Sequence, residues 1–100
     1  MSGGKVYTAG EFLPVVVDLS ADSTTVNTKS TILRGVSVKT AMSAHACVIS
    51  NGSTALFTIP ASSAAGTWIP FGDVVLGGGI VVDPDNAATG EIVLVMKELP

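Results

Sequence analysis

Short apolar runs recur along this chain between clusters of Gly, Pro, Ser, Asn and Asp, and no stretch sustains the roughly 3.6-residue period of an amphipathic helix. The runs are strand-like. Residues 12–19 form one, with Pro14 near its start marking a sheet edge, because proline cannot donate to a ladder. Residues 31–40 form another, with Val36 and Val38 facing inward and Ser37 and Lys39 outward. Residues 44–50 and 53–59 flank Asn51-Gly52, the strongest short-range hairpin signal. Residues 67–71, 74–76, 80–83 and 90–97 complete the set. Residues 4–8 read as a short strand or extended arm, and the polar residues 21–30 as a loop. The pattern predicts an all-β chain: one antiparallel β-sandwich, jelly-roll-like, of about seven or eight strands. Residues 1–10 are expected as an N-terminal arm and residues 11–100 as the sandwich domain.

A two-residue loop at Asn51-Gly52 would pair Ser50 with Ser53, Val48 with Ala55 and Cys47 with Leu56. Both faces of that hairpin are then largely apolar. The last strand behaves the same way, with Ile92, Leu94 and Met96 on one face and Val93 and Val95 on the other. A strand with one wet face should alternate apolar and polar residues. Doubly apolar strands need a second cover from a loop, another sheet or another subunit.

Composition agrees with β structure. The 100 residues include 14 Val, 10 Thr and 6 Ile, β-branched side chains that suit a pleated surface. Hydrophobic residues make up 47% and charged residues 13%, which excludes a disordered chain. A net charge of −3 gives no electrostatic footprint for nucleic acid. Ser, His, Asn, Gly and Pro interrupt the uncharged residues 40–72, so no membrane-spanning helix is expected. The start has no apolar run behind it, so no signal peptide is expected. Cys47 is the only cysteine, which suits a reducing cytosol. Residues 1–40 sum to +1 and residues 73–100 to −4, as solvated loops or as a subunit with a fixed docking orientation.

Candidate chemistry is sparse. His45 and Cys47 share a strand face, but structural zinc wants four ligands and no further His or Cys exists. His45 with Ser43, Ser50 or Cys47 lacks the geometry and the nucleophile elbow of a hydrolase. Asp83-Pro84-Asp85-Asn86 with Glu91 lacks the third ligand and central glycine of a calcium loop and reads as a turn. Gly77-Gly78-Gly79 is followed by a strand rather than a phosphate-binding helix, and reads as a tight connection. The aromatic residues Tyr7, Phe12, Phe57, Trp68 and Phe71 are too scattered for a base-stacking platform. The expectation is a non-enzyme without metal or cofactor.

The polar leader, the Val-rich Phe12-Leu13-Pro14-Val15-Val16-Val17, the strand Arg34-Gly35-Val36-Ser37-Val38 and the Ser50-Asn51-Gly52 hairpin form a recognisable series. Residues 59–72, Gly77-Gly78-Gly79-Ile80-Val81-Val82 and Gly90-Glu91-Ile92-Val93-Leu94-Val95 continue it. In strand order and style this resembles the small all-β structural proteins of tailed bacteriophage particles. That resemblance implies a capsid decoration or cement protein on the virion exterior, made in the host cytoplasm. Its implied partners are the major capsid protein and copies of itself, most often as a trimer. A tail or head-fibre component, or a small carbohydrate-binding sandwich, are the alternatives. The interface residues expected are Lys5, Val6 and Tyr7 of the arm, then Phe12, Trp68, Val93 and Val95.

Overall fold

The computed structural model describes residues 11–99. Eight strands run through them: β1 Leu13–Asp18, β2 Thr24–Asn27, β3 Thr31–Thr40, β4 Cys47–Asn51, β5 Thr54–Ile59, β6 Trp68–Leu76, β7 Ile80–Pro84 and β8 Glu91–Glu98. No helix occurs among the described residues, so none is long and apolar enough to cross a membrane. The strands form two four-stranded antiparallel sheets, ordered β1-β8-β3-β6 and β2-β7-β4-β5. Pairings β1–β8, β2–β7, β3–β6 and β4–β5 are those of one long hairpin, folded at the β4–β5 turn. Rolling that hairpin brings β3 against β8 and β4 against β7. This is the eight-stranded jelly roll, two sheets packed as a sandwich.

Period-2 patterning builds the core. Val17, Leu33, Val36, Val38, Leu76, Ile92, Leu94 and Met96 point inward from the first sheet, and Cys47, Ile49, Ile59, Ile80 and Val82 from the second. Inside it, Thr31 is fully buried, and its hydroxyl donates to the Lys29 carbonyl at 2.8 Å. That bond offsets the cost of burying the group.

Val36 and Val38 face inward and Lys39 outward as expected, and β1, with Pro14, is a sheet edge. Four readings need correction. The hairpin turns at Gly52-Ser53, one residue later than expected, so Asn51 pairs with Thr54. Gly52 alone takes a positive φ there (57°), the pattern of a type II′ turn with glycine first. Asn51 is held in the strand because its side chain accepts from the Gly78 amide at 2.8 Å, while the Gly52 amide donates to Gly79. A bulge at Leu56 then shifts the ladder again, so Cys47 pairs with Ile59 rather than Leu56. Within the expected loop 21–30, β2 forms: Thr24, Thr25 and Val26 are β-branched, and their polarity suits an edge strand. The two runs 67–71 and 74–76 are one strand, β6, bent by positive φ at Gly72 and Asp73. The arm, including the expected strand at 4–8, lies outside the described residues.

The triple glycine makes a tight connection, with the Gly79 amide donating to Leu76 at 3.2 Å. Gly79 has φ 86°, and a Cβ on it would sit 2.0 Å from the Asn27 carbonyl oxygen. Backbone cannot swing aside as a side chain can. Gly79→Ala should therefore cost at least about 2 kcal/mol, read by urea denaturation, as a forbidden φ and an overlap combine.

Candidate functional site: an apolar sheet face and edge

Each sheet has an outer face, and the two differ. That of β2-β7-β4-β5 carries Thr25, Val81, Ser50 and Ala55 in one row and Asp83, Val48 and Thr58 in the next. Small and polar groups suit water. The outer face of β1-β8-β3-β6 is built otherwise. One row across its four strands reads Val16, Val93, Ser37, Trp68, and the next reads Pro14, Val95, Gly35, Pro70. Val16 is 50% exposed, Trp68 48% and Val75, further along the face, 57%. Four of the expected interface residues meet here: Trp68, Val93 and Val95 in these rows, and Phe12 at the end of the face. Lys5, Val6 and Tyr7 lie outside the described residues.

Gly35 shapes the surface. A bulge at Arg34-Gly35 interrupts both ladders of β3, letting Leu33 and Val36 both point into the core. The absent side chain of Gly35 leaves a hollow that the Trp68 indole fills. A Cβ there would lie 2.4 Å from the ring. The indole thus lies on the sheet, one side packed and the other in solvent.

Charge is confined to the two ends of this face. At one end Arg34 donates from Nε to Asp73 at 3.0 Å and from Nη2 at 3.1 Å, a bidentate pair. The Arg34 guanidinium also lies 3.8 Å above the Phe12 ring, with the Lys97 ammonium 5.0 Å from it. At the other end Lys39 faces Glu91 at 3.7 Å, beside Asp18. The Arg34 hydrogen bond holds the Asp73 carboxyl below its usual range. Its contribution to stability is present above the ordinary carboxylate range and disappears as pH falls through the lowered value.

Around the β6 edge the apolar surface continues. Leu56, Phe57, Ile69, Pro70, Phe71 and Val74 line an open groove of about 340 Å³ between edge strands β5 and β6. Phe57 and Phe71 meet edge to face across it, centroids 5.8 Å apart. The opposite seam, between β1 and β2, is bridged by a polar bond from Asn27 Nδ2 to Glu98 at 2.9 Å. Residues 40–72, which span β4, β5 and the start of β6, hold no acid, lysine or arginine. The sequence marked this side by its lack of charge. It did not reveal the groove, since Leu56 and Val74 are exposed by bulges that no local pattern announces.

The remaining candidates do not converge. His45 is half-buried ahead of β4, and Cys47 is fully buried. Among the described residues no three His, Cys, Asp or Glu side chains come together as metal ligands. Residues 85–88 close a turn, Ala88 donating to the Asp85 carbonyl at 3.1 Å. No family model, no curated protein and no solved structure matches this chain.

Gly35→Ala should displace the indole, red-shifting tryptophan emission and costing about 1–3 kcal/mol, with a smaller cost in a Trp68→Ala background. Burial, and then Asp83 and Asp85 nearby, push the Cys47 thiol up to about 12 from an ordinary 9.0. The thiol's preference for the folded state is full below the ordinary value and disappears as pH rises through the raised one. At pH 8 a thiol reagent should therefore modify native Cys47 at least about 100-fold more slowly than the unfolded chain.

Proposed function

We propose that this chain is a non-enzymatic structural subunit of a tailed-phage particle. It would act as a decoration or cement protein that binds the outer capsid surface and associates with copies of itself. The observation that carries the reading is the uncharged apolar surface running from the Val16–Trp68 row around β6 into the Leu56–Val74 groove. Exposed apolar surface of this continuity marks a docking site in soluble proteins. Interface cores are depleted in charge and bordered by polar groups, as charged groups border this face at its two ends. The jelly roll supports the reading at the level of analogy, since viral capsid domains are among those built this way. The sequence resemblance points in the same direction. A carbohydrate-binding role draws less support: Trp68 is the one aromatic with a broadly open face on this sheet, while Phe12 lies under Arg34.

In this reading the groove takes the capsid. The test is co-sedimentation with purified heads of the phage that encodes the chain. The native chain should pellet with heads and raise the temperature at which they rupture. Leu56→Glu puts a charge on an exposed, bulged position and should lower the bound fraction at least about tenfold with thermal melting unchanged. A native chain that stays in the supernatant would sink the proposal, as would a variant that binds equally well.

A further inference from the structure

We infer that the outer face of β1-β8-β3-β6 is covered by the same face of a second copy, related by a twofold axis running across the strands. The inference deepens the assembly reading, on which it rests, by assigning this face to self-association and leaving the groove to the other partner. It replaces the threefold association expected from the sequence with a twofold one.

Charge placement selects the second copy and its orientation. The three charges at one end of the face, Asp18, Glu91 and Lys39, sum to −1. At the other end the side chains gathered around the Phe12 ring, Arg34 and Lys97, and Asp73 paired to Arg34, sum to +1. Turning a copy over about an axis that crosses the strands lays each end on its opposite. The strand β8 shows the match most simply, because Glu91, Val93, Val95 and Lys97 all point outward while Ile92, Leu94 and Met96 fill the core. With the axis passing over Leu94, Val93 meets the partner's Val95 and Glu91 meets the partner's Lys97. On β1 the same operation sets Val16 against the partner's Pro14. It brings Asp18 toward the partner's Phe12, whose ring carries the partner's Arg34.

Relief agrees with charge. The middle of the face is low at Ser37, while the Trp68 indole, lying flat, covers Gly35 beside it. The operation sets the indole, seated over Gly35, against the partner's Ser37, so it meets a small side chain instead of another indole. An isologous contact of this kind closes on itself and builds no fibre. Four strands about 4.8 Å apart and rows about 6.7 Å apart make the face roughly 20 Å on a side. That is about 400 Å² per copy, the size of a weak, transient pair, so the dimer is expected toward the upper end of the micromolar range.

Sedimentation equilibrium on the purified chain, from about 1 to about 200 µM, tests this. The native chain should rise toward dimer mass, and Val93→Arg should remain monomeric with an unchanged melt. Glu91→Lys and Lys97→Glu should each raise the dimer dissociation constant about tenfold, and the double variant should return to within about threefold of native. Leu56→Glu should dimerise normally. A native monomer throughout would overturn the inference, while head binding through the groove would stand. A trimer, or a double variant no tighter than the single ones, would overturn the twofold arrangement.

Discussion

The β3–β8 ladder is the interaction on which the rest of this structure depends. It joins residues 31–40 to residues 91–98, and it turns two separate strand pairs, β1–β8 and β3–β6, into one sheet. Each of its strands has a neighbour on both sides, and each alternates into the core, β3 with one break at its bulge. Leu33, Val36 and Val38 from one and Ile92, Leu94 and Met96 from the other are almost wholly removed from water. Burying a side chain of this size contributes roughly 1.5–3 kcal/mol. The ladder therefore supplies both the topology and much of the driving force. The bulge at Arg34-Gly35 sits within it and disturbs both neighbours of β3 at the same place. One irregularity thus directs Arg34 toward Asp73 and opens the hollow that receives Trp68.

How much of this could be read from the chain depends on whether the determining contact is local. The all-β class, the inward Val36 and Val38 and the edge position of Pro14 come from period-2 patterning and proline chemistry, which act over a few residues. The doubly apolar last strand could be recognised too, and Val93 and Val95 do stand on an outer face rather than in the core. Register was harder. Asn51-Gly52 marks a hairpin, yet Asn51 is drawn into the strand by an amide 27 residues away, and the turn moves by one position. Strand β2 carries no local signal, because its Thr-rich residues look like a loop until β7 offers a ladder. The union of the two short runs into β6 turns on a positive φ at Asp73, a non-glycine residue held by Arg34. Phe12 and Trp68, distant in sequence, share a face only because β8 and β3 separate their strands.

The free edges explain why the apolar surface need not lead to fibres. A jelly roll leaves four edges, and β5 and β6 lie together on the uncharged side of the sandwich. An exposed uncharged edge is a template for strand addition. Here each edge is broken. Leu56 bulges out of β5, while Pro70 and the Gly72-Asp73 bend interrupt β6. Proline removes a donor, and bulges spoil the even spacing that another strand would need. Backbone pairing is blunted while the side chains Leu56, Phe57, Val74 and Val75 remain open. A surface of this design favours docking by shape and apolar contact over docking by ladder. Side-chain docking has a definite partner and a finite size, whereas ladder docking can repeat without limit. That difference keeps association finite, and it follows from where two bulges and one proline fall.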